Sequence, residues 1–251
     1  MKTLAKMSIY VRKHYRIFLA ALMVSLLVAG FLFARSTYAQ PDFGKTFGAK
    51  AVAAKKKLNE LGPRFELCSP ICKHSSKFMQ SIVFPEVMRY NSLKDDVETE
   101  SLRTLYVQWG QDYANFSIGL FQMKPSFAVE VETKAKQFIS TSILNEFQFN
   151  YSTTDEKSIR RERVDRLQDN EWQLIYLTAF ILICDAQYQH KVFGSETERL
   201  QWYATVYNAG FDRNDEYISK KIGADNFYLK QGMPGKKFKY AALAAWYFKN
   251  K

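Results

Sequence analysis

Phe116-Ser117-Ile118-Gly119-Leu120-Phe121-Gln122-Met123-Lys124-Pro125-Ser126 is mostly apolar, yet it carries a glutamine and a lysine between its hydrophobic residues and a serine near each end. The apolar positions neither recur at the three-and-four spacing of an amphipathic helix nor alternate as in a half-buried strand. Gly119 can take a backbone conformation that a Cβ forbids, or let another group come close. Gln122 brings one acceptor and two donors into an otherwise apolar segment. Pro125 limits the residue before it and suits the first position of a helix. Together these features predict a bend laid against a ligand groove, followed by a helix. The competing reading is a core turn whose glycine only relieves crowding.

Working outward, the surrounding pattern is helical. Ser76 to Arg89 reads as a helix that delivers Glu86 near its C-terminal end, with Ile82, Val83 and Val87 packed around it. After Ser126 the pattern predicts a helix to about Phe138 and another to about Phe147. Residues 171–192 form the longest apolar run after the N-terminal one. Trp172, Ile175, Tyr176, Ala179, Phe180 and Ile183 follow helical spacing, while Leu174, Leu177, Ile181 and Leu182 fill the other faces. A helix apolar all round is either central to a core or in a membrane. Thr178, Asp185, Gln187 and Gln189 argue for the core. Gly194 is expected to end it. Ser195 with Glu198 is a capping box that starts a helix at Glu196, running to about Tyr207. A last helix is expected over 238–248. Strand signals are few, so the expected fold class is mainly α.

Three motifs stand in order along this frame. Glu86 lies in Phe84-Pro85-Glu86-Val87-Met88, the bend contains Gly119-Leu120-Phe121-Gln122, and Tyr207-Asn208-Ala209-Gly210 follows. Over roughly Ile82 to Phe211 the chain resembles the soluble lytic transglycosylase and goose-type lysozyme superfamily. Gly119 to Gln122 matches its Gly-Leu-Met-Gln with Phe121 in place of Met, and Tyr207 to Gly210 matches its Tyr-Asn-Ala-Gly without change. The resemblance implies a lysozyme-like helical domain around a glycan-binding groove. It implies cleavage of the MurNAc-GlcNAc bond of peptidoglycan by one glutamate acting as acid and then base, without metal or cofactor. Glu86 is the expected catalytic residue. Ser117, Gln122, Tyr207 and Asn208 are the expected glycan-binding residues, with Tyr207 holding either Glu86 or the sugar.

The catalytic assignment has a competitor. The family has serine directly after its glutamate, and Glu100-Ser101 keeps that pair at a spacing closer to the family's, whereas Glu86 precedes Val87. Glu86 has the apolar lead-in that raises a carboxyl pKa and keeps it protonated for acid catalysis. Glu100 follows Asp95, Asp96 and Glu98, a crowd of charge that reads as solvated. A hydrolase needs a second carboxylate across the bond, and a transglycosylase, by resemblance, uses the sugar's own 6-hydroxyl instead. Only Asp112 offers itself in the sequence, so the transglycosylase is the leading expectation. A hydrolase and a non-catalytic glycan-binding protein of the same fold are the alternatives. Tyr113 and Phe116 are candidates for stacking on sugar rings, with core packing the plainer reading.

The 251 residues carry a net charge of +11, unevenly spread. Residues 1–39 hold six basic and no acidic side chains, which leaves 30 basic against 25 acidic in the remainder. A mildly basic chain suits an anionic polymer such as the cell wall. No basic-aromatic reader motif points to nucleic acid. The basic start, the apolar run from Ile17 to Ala34 and the Thr37-Tyr38-Ala39 site predict a signal peptide cleaved before Gln40. An uncleaved anchor is the alternative, and would be the only contact with a membrane. Either predicts an exported, periplasmic or envelope-associated protein. Residues 40–75 read as a linker and a solvated Ala/Lys-rich helix, stopped at Gly62-Pro63, ahead of a domain over 76–251. Leu102 to Val107 reads as a short packed segment, and Ser158 to Arg166 as charged surface. Cys68 and Cys72 lack matching ligands for a metal and are expected to form a disulfide in an exported protein, with Cys184 buried.

Overall fold

The computed structural model describes residues 43–229 and 237–251, together with Met23. The expected signal peptide or anchor lies outside the described residues. Residues 43–251 form one compact unit, and it is mainly α. Twelve helices are present among the described residues: α1 (Phe43–Phe47), α2 (Ala49–Glu60), α3 (Gly62–Cys72), α4 (Ser76–Arg89), α5 (Ser92–Trp109), α6 (Pro125–Phe138), α7 (Thr141–Phe147), α8 (Glu156–Gln168), α9 (Asn170–Gln187), α10 (Glu196–Ala209), α11 (Asp215–Ile222) and α12 (Tyr240–Asn250). The extended pairing described is confined to two isolated antiparallel bridges, Ile118 with Met123 and Phe227 with Phe238.

Two helices run through the core. In α4, every residue from Phe78 to Met88 is buried, and neighbours α2, α3, α10 and α12 cover it. Ser75 starts it by accepting a hydrogen bond from Phe78 N–H at 3.1 Å, satisfying one of the donors a helix start leaves open. Burial of this apolar surface, at roughly 25 cal/mol per Å², supplies the stability that helix propensity alone would not. In α9, Asp169 caps the N–H groups of Glu171 and Trp172, and the helix packs against α3, α6 and α8. It is a core helix, and no helix among the described residues is long and apolar enough to cross a membrane. The helix ends at Gln187, seven residues before Gly194, because residues 188–190 turn away.

Several expectations need correction. The helix α2 is not solvated: Ala51, Ala54 and Leu58 are buried against α4. The Ala/Lys-rich helix does stop at Gly62-Pro63 as expected, since α2 ends at Glu60 with Leu61 as its cap, and Pro63 then sits in the first turn of α3, where its missing N–H costs nothing. The acidic cluster is a helix start rather than a loop, and Leu102 to Val107 is not a separate short segment but part of the same helix, Ser92–Trp109. The charged stretch in α8 is not all surface, since Arg163 and Arg166 are buried and paired. Cys68 and Cys72 are free thiols four positions apart in α3. Burial pushes the Cys72 thiol up to about 11 and raises Cys68 as well.

Candidate active site

The bend from Phe116 to Ser126 closes on itself. Ile118 and Met123 exchange backbone hydrogen bonds at 2.9 and 3.1 Å, and Gln122 N–H returns to Gly119 carbonyl at 3.1 Å. Gly119 has φ +67°, a region that costs other residues steric energy. A Cβ there would also overlap the Gln173 amide and stand 2.5 Å from the Leu167 carbonyl. Gln173, buried in α9, explains the close approach. Its Nε2 donates to the Ile118 and Leu167 carbonyls at 2.8 and 2.7 Å, and its Oε1 accepts from Phe121 N–H at 2.9 Å. One side chain of the core thus fixes the bend from behind. Pro125 then opens α6, as its position predicts.

The bend borders a cleft of about 440 Å³. Glu86, Ser117, Gln122, Tyr207 and Asn208 all line it. Residues from α4, the bend and the C-terminal turn of α10 therefore meet in one place, as the three motifs require. Glu86 is 5 % exposed. Burial pushes its carboxyl up to about 7, with Arg89 and Lys124 pulling the other way and Asp95 adding to the rise. Arg89 Nη2 stands 2.6 Å from Glu86 Oε2. The contact is close but poorly aligned: neither Glu86 Oε2 nor Arg89 Nε has a hydrogen-bond partner. Burial therefore outweighs Arg89 and Lys124 together, which leaves a carboxyl able to hold a proton near neutral pH.

Two of the expected binding residues spend their polar atoms on the protein. Tyr207 hydroxyl donates to the Phe121 carbonyl at 2.8 Å, so it ties α10 to the bend rather than holding Glu86. Burial, then the nearby Glu86 charge, raises its pKa well above the usual value and keeps it a donor. Gln122 has φ +52° and donates through Nε2 to Gly119 carbonyl at 3.0 Å and to Asp95 Oδ2 at 3.2 Å. Ser117 and Asn208 are half-buried on the cleft wall.

Glu100 does not reach the cleft. Its side chain is 65 % exposed on α5, 4.0 Å from Arg103. Asp112 lines a different hollow. Two carboxylates that sequence reasoning passed over do belong here. Asp95, read as solvated, is buried and accepts from both Gln122 and the Asn91 N–H, the latter at 2.8 Å. Its place in the first turn of α5 was the available signal. Glu130 lines the cleft beside Ser126 and Phe127. Helix spacing from Pro125 puts these three on one face. Burial and then Asp212 raise the Glu130 pKa. Among the described residues no cluster of metal-ligating side chains is present.

No protein-family model, curated protein or solved structure matches this chain.

Proposed function

We propose that this protein is a peptidoglycan lytic transglycosylase, with Glu86 as its single acid and base. The observation that carries the reading is the meeting of a buried, proton-holding glutamate with Gln122, Tyr207 and Asn208 in one cleft. In the proposed reaction Glu86 gives its proton to the glycosidic oxygen as the bond to the muramyl C1 breaks. The muramyl 6-hydroxyl then adds to C1, and the Glu86 carboxylate takes that hydroxyl's proton. The acid is regenerated, no water is consumed, and the product carries a 1,6-anhydro end. A cleft lined by Arg89, Lys124 and Arg213 suits a polymer carrying carboxylates. The reading places the working domain outside the cytoplasm, exported by residues 1–39 as a signal peptide or anchor, with glycan strands as its partner.

Glu130 favours a second reading, a lysozyme-type hydrolase, because it supplies the cleft carboxylate that the sequence lacked. Its raised pKa, set by burial and then by Asp212, does not count against that role, since a carboxylate of higher pKa is the stronger base toward water. Mass spectrometry of peptidoglycan digested by the protein separates the readings. Anhydro-muramyl ends are expected. Reducing muramyl ends alone would replace the transglycosylase with the hydrolase, and glycan binding without cleavage would replace both with a binding protein.

A further inference from the structure

The chain from Trp109 to Ser117 carries a feature outside the catalytic cleft. Trp109 ends α5 with 56 % of its surface exposed, and Tyr113 follows at 70 %. Their rings stand 6.0 Å apart at an interplanar angle of 42°. Large aromatic side chains seldom stay this open in adjacent positions without a partner. Both are held in place. Arg160 donates to the Val107 and Gln108 carbonyls at 2.9 and 3.4 Å, which secures the end of α5. Gly110, at φ +85°, turns the chain, and its carbonyl accepts from the Tyr113 and Ala114 N–H groups. Trp109 also borders a second hollow of about 420 Å³, with Gln111, Asp112, Glu156 and Arg160 on its walls. Ring faces carried on a held backbone beside hydrogen-bonding groups match the chemistry of a pyranose, which has apolar C–H faces and a polar rim.

The connection to the cleft is direct. From Tyr113 to Ser117 burial alternates: Ala114 and Phe116 point inward, while Tyr113 and Asn115 are exposed and Ser117 is half-buried. Tyr113, at the end of the turn, and Asn115 and Ser117, in the segment that follows, are thus the open positions of this stretch. Asn115 and Ser117 both line the cleft. Asn115 is lashed to the start of α6, donating to Ser126 Oγ at 3.0 Å and accepting from Ser126 N–H at 3.3 Å.

We propose that Trp109 and Tyr113 form a distal sugar-stacking platform, continuous with the cleft through Asn115, that engages an amino-sugar polymer several units from the cleaved bond. The substrate is then a long glycan strand rather than a short oligomer. This rests on the glycan reading of the cleft. The test measures binding on ice of the full-length chain, wild type and Trp109→Ala/Tyr113→Ala, to peptide-free glycan strands and to a tetramer of β-1,4-linked N-acetylglucosamine. Wild type is expected to bind the long strand more tightly. The double variant should lose about tenfold more affinity for the strand than for the tetramer, as two lost stacking contacts imply. Trp109→Phe/Tyr113→Phe, which keeps ring faces, should recover most of it. Equal losses for both ligands, or no loss, would overturn the platform while leaving the cleft reading in place. A wild type that binds neither ligand would overturn the cleft reading and the platform with it.

Discussion

Glu86 and Glu132 are both buried, and they are treated in opposite ways. Glu132, on α6, accepts four hydrogen bonds: from Tyr151 and Tyr176 hydroxyls at 2.6 Å each, and from Arg163 Nε and Nη2 at 3.1 and 2.8 Å. Arg163 in turn donates to the Tyr106 hydroxyl at 3.1 Å. The carboxylate gathers α5, α6, α8 and α9 into one polar knot. Glu86 has one poorly aligned arginine in contact and a more distant Lys124, so burial dominates and its proton stays. A buried charge given every partner holds helices together, whereas one left short of partners keeps a proton available for transfer.

The largest effect expected from this contrast is at the knot. Glu132→Ala leaves the Arg163 guanidinium buried without its counter-charge, a change that typically costs about 3–5 kcal/mol. Urea denaturation should show the midpoint falling accordingly. A loss under 1 kcal/mol would mean that the knot contributes little.

At Glu86 the sign should reverse. Its carboxyl rises from an ordinary 4.5 to about 7 on folding. Between these values the unfolded chain gives up the proton first, so the native state loses stability as pH rises through this window. Above it the ionised group costs up to ~3 kcal/mol, at ~1.4 kcal/mol per pH unit. Glu86→Gln should therefore melt higher than wild type at pH 8, with the difference gone at pH 4. A variant less stable than wild type at pH 8 would break the comparison.

A smaller effect is expected behind the bend. Gly119→Ala combines an unfavourable positive φ with overlap against Gln173, costing about 2 kcal/mol by denaturant midpoint. Glu100→Gln, on the open face of α5, should change stability by less than ~0.5 kcal/mol and leave turnover unaltered.

These two glutamates also mark what the sequence could and could not disclose. Glu86 was legible because its apolar neighbours lie beside it in the chain, and the bend and the Tyr207 turn were legible through residue types with few alternative uses. The knot was not. Glu132 meets its partners 19, 31 and 44 residues away, and a charged stretch such as α8 reads as surface until those partners are seen. Asp95 was hidden in the same way among its acidic neighbours. Tyr207 and Gln122 both line the cleft, but which atoms they turn toward the protein depends on tertiary contacts with Phe121 and Asp95.

The central claim is that the under-partnered glutamate moves the proton. Turnover of peptidoglycan by wild type and Glu86→Gln, at matched fold and across pH, tests it most directly. Wild-type turnover should fall as pH rises above about 7, where Glu86 gives up the proton it must donate. Glu86→Gln should lose ~10²–10⁴-fold below that pH while still binding glycan, with the gap narrowing above it as wild type loses its proton. Wild-type turnover in Glu86→Gln would contradict the account.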